Sequence, residues 1–488
     1  MSPLKICFAA SEVVPFAKTG GLADVAGALP KYLSHLGHDV RVFMPFYSTV
    51  NTAGMEIHPV DFIQNVPVHF GGFTLHFTAL TTRLPRSQAD IYFIHCEGLY
   101  NRGRIYTEDP DEYLRFALFS RAVIECCQRM GWAPDIIHCH DWQTALIPLY
   151  CKTVYGWDSL FHASRTVLTI HNIGYQGVFS AEVLSPLGLD AHRDLLPQED
   201  LQGGVINFLK TGILHADMLT TVSETYAREI QTPEYGAGLE TLLRLRSDRL
   251  VGILNGVDYE EWNPETDPYI PYHYSTQDLS GKEKNKQALL ERLNLPYSPE
   301  TPVVGIISRL TPQKGLDLLQ AVLPDFLGQR DMRFVALGSG EDRYVHFFEE
   351  LQRTFPEKVC FYNGYNMELA HWIEAGADMY VMPSRYEPCG LNQIYSLKYG
   401  TVPIVRKTGG LADTVQLYDW QTQTGTGFVF EHFTPEGLRW AMDHAYSTFF
   451  HRDAWRKLMR NGMAQDFSWE KQVHKYVALY RGLVSMYS

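Results

Sequence analysis

Positive charge is in deficit in this sequence. Among its 488 residues, 42 lysines and arginines face 55 aspartates and glutamates, so the formal net charge is −13 at pH 7. Such an excess of negative charge argues against a general nucleic-acid binder and against a protein that binds anionic membranes. It does not argue against an anionic small ligand, because a local cluster of cations can bind phosphate within an acidic protein.

Paired cysteines and long apolar runs are also missing. The eight cysteines form no C-x-x-C pair, and several lie in apolar, strand-like segments. This pattern favours reduced thiols in a cytoplasmic protein over a disulfide framework. No run approaches the length of a membrane span, and the N-terminal segment, which is interrupted by Glu12 and Lys18, does not resemble a signal peptide. We therefore predict a soluble, cytoplasmic protein with no membrane partner.

Motifs for the common nucleotide cofactors are absent as well. No G-x-G-x-x-G sequence opens either half of the chain, and no P-loop sequence occurs. A dinucleotide-dependent oxidoreductase is therefore a weak alternative, although an α/β fold alone would permit one.

What the sequence does contain is an alternation of apolar strands and helices. The first series starts with KICFAA at residues 5–10 and continues with a helix over residues 24–36 that stops at Gly37. Buried strands separated by helices indicate a parallel sheet with helices on both faces. Further strands of this series are predicted at residues 40–44, 135–139, 166–170 and 218–222.

A second series of the same kind is predicted to begin near Leu250. Its strands are expected at VGILN (residues 251–255) and at residues 302–307, 333–337, 359–362, 379–382 and 402–405. The polar, turn-rich segment 255–278 is interpreted as a linker or crossover. Since a chain of this length exceeds one core, we predict two doubly wound α/β domains, residues 1–252 and 253–467.

The heptapeptide KTGGLAD occurs twice, at residues 18–24 and at residues 407–413. Each copy follows a predicted strand, where ligands bind in sheets of this kind. Paired glycines let backbone N–H groups face an anion, and Lys18 adds a cation in the first copy. Asp24 is predicted to cap a helix, and the second copy to lead into residues 413–417. The alternative that both loops merely turn the chain into a helix stays open.

Two cations follow the strand at residues 302–307. Arg309 and Lys314 flank a turn, and a helix is expected to begin near Gly315. Two cations beside a helix N-terminus make a diphosphate site. The alternative is a pair of solvated surface cations.

A carboxylate follows the strand at residues 379–382. Glu387 precedes a proline and a glycine, so we expect it to cap a helix and point towards the ligand. There it could hold vicinal sugar hydroxyls, while backbone amides near Gly390 and Leu391 receive phosphate oxygens. The alternative is a plain capping glutamate.

Polar residues also follow two strands of the first series. His138, His140 and Asp141 could suggest a metal, but no further ligand spacing is visible. A polar cluster that grips sugar hydroxyls, with Trp142 as a wall, is favoured instead. His171 is either a core histidine or a site residue, and its Asn, Gly, Tyr and Gln neighbours favour a site.

These segments together resemble the family of bacterial glycogen synthases and plant starch synthases. The resemblance runs in order from about residue 5 to residue 483 and is carried by KTGGLADV, HCHDWQ, TIHNIGYQG, ILNGVD, SRLTPQKG and SRYEPCGLNQIYSLKYG. It implies the GT-B fold, in which two Rossmann-like domains face each other across a deep cleft, with residues 468–488 joining the first domain. It implies transfer of glucose from ADP-glucose to the non-reducing end of an α-1,4-glucan, with retention of configuration.

The resemblance also implies roles for individual residues. It carries no metal and no other cofactor, and it indicates no oligomeric state. The catalytic set is Arg309, Lys314, Glu387, His171 and Asp141; the donor-binding set is Lys18, Gly20, Gly21, Asn255, Tyr365 against the adenine, Cys389, Gly390 and Leu391; Asp24 and Tyr106 lie on the acceptor side. The sequence departs from related enzymes at Tyr395, where many carry a second glutamate, and at Asn392, where threonine is expected.

The chemistry agrees with these roles. Breaking a glycosyl–phosphate bond requires stabilisation of the leaving diphosphate, which fixed cations and helix N-termini supply without a metal. Retaining glycosidases use a carboxylate nucleophile; no candidate stands out here, so front-face attack through an ion-pair-like intermediate is our hypothesis. UDP-glucose as donor, another nucleotide-sugar transferase, and a non-catalytic glucan-binding scaffold are the alternatives.

Overall fold

The computed structural model describes residues 2–487, and they divide into two compact units. The first unit runs to Val222, resumes over Ala227–Gly256 and includes the C-terminal stretch from Trp469; the second comprises Ser223–Tyr226 and Val257–Ser468. No helix within residues 2–487 combines the length and the hydrophobicity that a bilayer crossing requires.

The strands are named in chain order. They are β1 (Lys5–Ala9), β2 (Asp39–Pro45), β3 (His58–Pro59), β4 (Val66–His69), β5 (Thr74–Arg83), β6 (Asp90–His95), β7 (Ile136–His140), β8 (Arg165–Ile170), β9 (Val178–Ser180), β10 (Val205–Asn207), β11 (Met218–Thr221), β12 (Leu250–Gly252), β13 (Val303–Leu310), β14 (Arg333–Gly340), β15 (Val359–Asn363), β16 (Met379–Met382), β17 (Val402–Arg406) and β18 (Phe428–Phe430).

The helices are named in the same way. They are α1 (Gly21–His35), α2 (Glu97–Tyr100), α3 (Glu112–Arg129), α4 (Ile147–Lys152), α5 (Gln198–Gln202), α6 (Phe208–His215), α7 (Glu224–Glu229), α8 (Glu240–Leu245), α9 (Ser280–Arg292), α10 (Leu316–Gln329), α11 (Asp342–Thr354), α12 (Met367–Gly376), α13 (Asn392–Lys398), α14 (Gly409–Thr414), α15 (Pro435–Phe449), α16 (Arg452–Met463) and α17 (Trp469–Ser485). Short 3-10 helices lie at Trp142–Thr144, Ser159–Phe161, Ala181–Leu184, Asp190–Leu195, Ser247–Arg249 and Pro312–Lys314.

The first unit is built on one large sheet with the strand order β12-β11-β8-β7-β1-β2-β6-β5-β3, and β4 pairs with β5. Pairing is parallel from β12 to β6, which confirms the predicted parallel sheet. The strands β3, β4 and β5 add an antiparallel edge that the sequence analysis did not anticipate. A separate antiparallel pair, β9 and β10, follows the strand end that carries His171.

The second unit has a single parallel sheet with the order β15-β14-β13-β16-β17-β18. The chain starts in the centre at β13, moves outward to β15, returns to β16 and then continues to the other edge. This reversal next to β13 is the point at which doubly wound sheets bind ligands, beyond the carboxyl ends of the strands.

Two features differ from the prediction of where the second series starts. The strand at Leu250 pairs in parallel with β11 and belongs to the first sheet. The segment interpreted as a linker packs into the core of the second unit instead, where Trp262, Ile270 and Tyr274 are buried. These apolar residues indicate that the segment packs into a core. The turn-rich composition of the segment had instead suggested a linker. The C-terminal helix α17 groups with the first unit.

The two KTGGLAD copies also differ from their predicted structure. Helix α1 already begins at Gly21, so Asp24 lies in its first turn and does not cap it. The second copy forms the short helix α14 itself, which ends at Thr414 and does not extend over residues 413–417. The predicted stop after α1 is confirmed, because Gly37 has a φ of 88°.

Candidate functional site

A lysine and a glutamate make contact at the carboxyl edge of the second sheet. The Nζ atom of Lys314 donates to both carboxylate oxygens of Glu387, at 2.9 and 3.1 Å, and Ser384 Oγ donates a third bond at 2.9 Å. The side chains of Lys314 and Glu387 are only 17% and 7% exposed. The prediction that Glu387 caps a helix is wrong, because α13 starts at Asn392 without a side-chain cap.

Arg309 and Lys314 lie on the segment that connects β13 to α10. The strand extends through Arg309, a 3-10 turn ends at Lys314, and α10 begins after Gly315, which has a φ of 71°. The predicted helix start near Gly315 is confirmed. Arg309 is exposed, and its guanidinium has no hydrogen bond or ion pair with any described residue. Its donors are therefore free to bind an anionic ligand.

The second KTGGLAD copy supports the loop that carries Glu387. A Cβ atom on Gly409, whose φ is 45°, would lie 1.8 Å from the carbonyl oxygen of Glu387. A Cβ atom on Gly410 would lie 2.0 Å from the carbonyl oxygen of Cys389. Glycine is required at both positions because backbone approaches backbone. This copy thus packs against the Glu387 loop. Its glycines serve the backbone packing of the turn into α14, which favours the alternative that this loop only turns the chain into a helix.

The remaining predicted donor residues of the second unit lie near the same edge. Cys389 is buried, Gly390 turns with a φ of 75°, and Leu391 immediately precedes α13. Tyr365 follows β15 and is 64% exposed, just before α12. An exposed aromatic ring beyond a strand end suits stacking on a base.

The two departures from the family pattern have structural roles. Asn392 Nδ2 donates to the carbonyl oxygen of Ile307 at 3.1 Å, which ties α13 to β13. The ring of Tyr395 stacks on Trp262 at 4.1 Å, and Trp262 stacks on His371 at 3.7 Å. Tyr395 is therefore a buried packing residue.

In the first unit, Asp141 and His171 lie side by side at the ends of β7 and β8. Asp141 Oδ1 accepts the backbone N–H of His171 at 2.7 Å. Asp141 has φ 59° and ψ −170°, a region that residues with a side chain rarely adopt and that costs about 1–3 kcal/mol. Burial raises the pKa of Asp141 to about 7, although the N–H groups of His171 and Asn172 act in the opposite direction.

The other histidines of HCHDWQ do not line a sugar site, contrary to expectation. His138 and His140 are fully buried. His138 Nδ1 bonds to Tyr480 Oη and its Nε2 to Thr169 Oγ1, each at 2.6 Å. Within residues 2–487, no group of three or more His, Cys, Asp or Glu side chains is placed to hold a metal ion.

Trp142 borders a surface cavity of the first unit. The cavity has a volume of about 630 Å³, and Tyr175, Phe179 and Thr107 also line it. The indole is 9% exposed and packs edge-to-face against Phe116. Trp142 is thus a core residue that also borders this cavity, and its role as the wall of a sugar site stays a prediction.

A buried glutamate holds the first KTGGLAD copy in place. Glu12, which is 3% exposed, accepts the backbone N–H of Thr19 at 2.6 Å and that of Gly20 at 3.3 Å. The hydroxyl of Tyr106 donates to the same carboxylate and accepts from Ser11 Oγ. Burial and the negative charge of Glu12 raise the pKa of Tyr106 well above its usual value, so its hydroxyl keeps its proton.

The first copy is open where the second is packed. A Cβ atom on Gly20 or Gly21 would meet nothing within 4 Å. Gly21 begins α1, and the first N–H groups of a helix have no partner within it. Lys18 Nζ bonds to both carboxylate oxygens of Asp24, at 2.8 and 2.9 Å, in a pair that is 50% and 27% exposed. Lys18 and Asp24 therefore pair with each other here.

Asn255 completes the predicted set in the first unit. It is 4% exposed, and its Oδ1 atom is buried with no hydrogen-bond partner among the described residues. A buried amide oxygen of this kind usually has a partner, so a ligand hydroxyl would satisfy it.

Glu12 and Ser384 were missed by the sequence analysis. The signal for Glu12 is a carboxylate inside an apolar run just past β1, where burial without a partner would be costly. Ser384 has no such signal, because it becomes a partner of Glu387 only through the shape of the loop.

Comparison with known proteins gives a consistent result. A family model described as the starch synthase catalytic domain matches residues 5–245, and one described as glycosyl transferases group 1 matches residues 291–461. The chain is 46% identical over 482 residues to a glycogen synthase of Geotalea daltonii, which covers 98% of each chain. It is 45% identical over 483 residues to a glycogen synthase of Thermotoga maritima, again with 98% of each chain covered.

The fold is similar to that of a solved plant enzyme. The catalytic domain of starch synthase IV from Arabidopsis thaliana, bound to ADP and acarbose, matches with a TM-score of 0.92 at 36% identity. The match covers 99% of this chain and 100% of the plant chain.

Proposed function

The chain belongs to the family of glycogen and starch synthases, glycosyltransferases with the GT-B fold, and on that premise we propose that it elongates an α-1,4-glucan. It transfers glucose from ADP-glucose to the non-reducing end of the glucan and retains the anomeric configuration. Full-length similarity to glycogen synthases supports this reaction. The glycogen synthase relatives also favour glycogen as the product.

The observation that carries the proposal is the arrangement of Arg309, Lys314 and Glu387. A free guanidinium at the end of β13, a half-buried ammonium that follows this strand and a buried carboxylate that follows the neighbouring strand β16 make up the arrangement. Fixed cations stabilise negative charge as it develops on a leaving diphosphate, and in a site of low polarity this effect is large. Lys314 and Ser384 orient Glu387, whose carboxylate accepts hydrogen bonds from hydroxyl groups of the donor glucose. A glucan-binding scaffold would not need this set.

In the first unit, Asp141, His171 and Asn255 surround the donor glucose. The pKa of Asp141, near 7, lets its carboxylate ionise close to physiological pH and stabilise positive charge on the sugar ring. This role agrees with front-face attack through an ion-pair-like intermediate, because no covalent glucosyl-enzyme is then needed. Asn255 Oδ1 gains a hydrogen-bond partner that the described residues do not supply.

The first KTGGLAD copy binds phosphate through Lys18 and the amide of Gly21, while the amide of Gly20 donates to Glu12 and holds the loop in place. Exposed ion pairs contribute little to stability, so a phosphate can displace Asp24 from Lys18 at low cost. Asp24 and Tyr106 then lie on the acceptor side, where Glu12 holds Tyr106. The adenine stacks on Tyr365, while Cys389, Gly390 and Leu391 border the phosphates.

We place the enzyme in the cytoplasm on the chemistry of its thiols. None of the eight cysteines forms a disulfide bond within residues 2–487. Burial raises the pKa of Cys7, Cys126 and Cys139 well above the usual value, so these thiols are unreactive.

Donor choice is the direct test of the proposed function. Purified protein is incubated with glycogen and radiolabelled ADP-glucose or UDP-glucose, without added metal and with a chelator. We expect label from ADP-glucose to enter the polymer and to be released by an α-1,4-specific amylase. Incorporation from UDP-glucose alone would replace the donor assignment, and no incorporation from either donor would contradict the proposal.

The two pairs of glycines give a matched prediction. Alanine at Gly20 or Gly21 should leave the melting temperature unchanged, because the new methyl group meets open space, but it should lower kcat/KM for the donor by about 10-fold or more. Alanine at Gly409 or Gly410 should lower the melting temperature by several degrees, because its Cβ collides with backbone atoms. Full activity in the first pair would remove the phosphate assignment of that loop.

A further inference from the structure

A buried pair of histidines lies next to the proposed glucose site. His140 ends β7, and His171 directly follows the neighbouring strand β8. The Nδ1 atom of His140 lies 2.9 Å from the Nε2 atom of His171. Burial lowers the pKa of His171 to about 3 and that of His140 well below its usual value, so both rings are neutral at pH 7. One proton is therefore shared between these two nitrogens.

The ring of His140 packs against two other rings, which also contact each other. Phe8 lies at a centroid distance of 4.3 Å, and His138 stacks at 4.2 Å. His138 is itself fixed, because Tyr480 and Thr169 occupy both of its nitrogens. His140 is fully buried beside these rings, which restricts rotation of its ring away from His171.

The surroundings of His140 decide which ring donates. Its Nε2 atom is buried and has no hydrogen-bond partner among the described residues. If His171 were the donor, neutral His140 would have to carry its hydrogen on Nε2, as a buried N–H without an acceptor. If His140 is the donor, Nε2 carries only a lone pair. Orphaned buried N–H groups are rarer than unpaired acceptors, so the second arrangement is favoured.

We propose that His140 is a positioning residue, which donates its Nδ1 proton to Nε2 of His171 and so fixes His171 with its hydrogen on Nδ1. The Nδ1 atom of His171 has no hydrogen-bond partner among residues 2–487, and the residue keeps 8% of its surface exposed. His171 thereby presents an N–H donor of fixed direction to a hydroxyl oxygen of the donor glucose. This last step rests on the proposed function, whereas the tautomer does not.

Two substitutions separate the effect of the hydrogen-bond donor on His140 from the effect of the space that its side chain fills. In His140→Asn the side-chain amide places an N–H donor near the position of Nδ1, and in His140→Leu the space is filled without a donor. We expect His140→Leu to lower kcat by about 10-fold or more and His140→Asn to recover most of that loss. Equal kcat values in wild type and His140→Leu would overturn the proposal.

Neutron diffraction of the deuterated wild-type protein tests the tautomer without any assay. Deuterium on Nδ1 of His171 and on Nδ1 of His140 is the expected result, and deuterium on Nε2 of His171 would overturn the proposal. This measurement decides the matter even if neither variant folds. A protein with the expected tautomer but no glucosyl transfer would contradict the proposed function and leave the positioning of His171 by His140 intact.

Discussion

Replacement of Lys314 with alanine should lower kcat by about 10²-fold or more. Two effects act in the same direction. The leaving diphosphate loses a fixed cation, and Glu387, which is 7% exposed, loses the ammonium group that orients its carboxylate. Because an unpaired buried carboxylate is costly, the melting temperature should fall as well. Steady-state kinetics with ADP-glucose and glycogen, together with thermal denaturation, measure both.

Arg309→Ala provides the comparison that separates these effects. Its guanidinium has no partner within the described part of the chain, so the variant should keep the wild-type melting temperature while kcat falls by about 10²-fold. Lys407→Ala is the matched control, because Lys407 is exposed and its ammonium pairs, within residues 2–487, only with the exposed Glu431 of the same unit. If Arg309→Ala or Lys314→Ala retains near-normal turnover, the diphosphate assignment is wrong.

Asp141→Asn should lower kcat by about 10²-fold and yet stabilise the protein at alkaline pH. Asparagine keeps an oxygen that accepts the N–H of His171, but it has no charge to stabilise the glucosyl cation. In the wild type, kcat should rise with pH through about 7 as Asp141 ionises, and the variant should lose this rise.

The stability effect has a defined sign. The folded pKa of Asp141 is about 7, above the value of about 3.9 for an unfolded chain, so the folded state holds the extra proton between these values. Its stabilising contribution is complete below about pH 4 and is lost as the pH rises through 7. The melting temperature of Asp141→Asn should therefore exceed that of wild type at pH 8, with a smaller difference at pH 5.

A control substitution tests whether the effect is specific to Asp141. Asp200→Asn removes a carboxylate of the same unit that pairs with Lys210 at 2.9 Å, and it should leave the pH dependence of kcat unchanged. An Asp141→Asn variant with wild-type kcat, or one that is less stable at pH 8 than at pH 5 relative to wild type, would contradict the assignment.

Patterns of neighbouring residues in the sequence were enough to predict most strands of the parallel sheets and the turn that follows β13. The segment from Arg309 to Gly315 shows its turn and helix start in its own residues. Apolar runs predicted the parallel strands of both sheets except β6 and β18. The strand at Leu250 was assigned to the wrong sheet, because three residues carry no information on which neighbour they pair with. The antiparallel edge strands were missed for a related reason, since their pairing depends on the rest of the sheet.

Contacts between distant residues account for what the sequence did not reveal about the site. Glu12 and Tyr106 are 94 positions apart, and only the folded chain brings them together. The identical KTGGLAD copies are the clearest case, because the same seven residues leave Gly20 in open space and press Gly409 against the Glu387 loop. Identical local sequence thus gave two environments, and tertiary contacts made the second copy a packing element while they left the first open.

A crystal structure with ADP and a maltooligosaccharide would test the central claim most directly. The claim is that cations of the second unit neutralise the nucleotide as it leaves the sugar. We expect the guanidinium of Arg309 and the ammonium of Lys314 within hydrogen-bonding distance of the β-phosphate oxygens, with no metal ion between them. A β-phosphate bound elsewhere, out of reach of both side chains, would contradict the account.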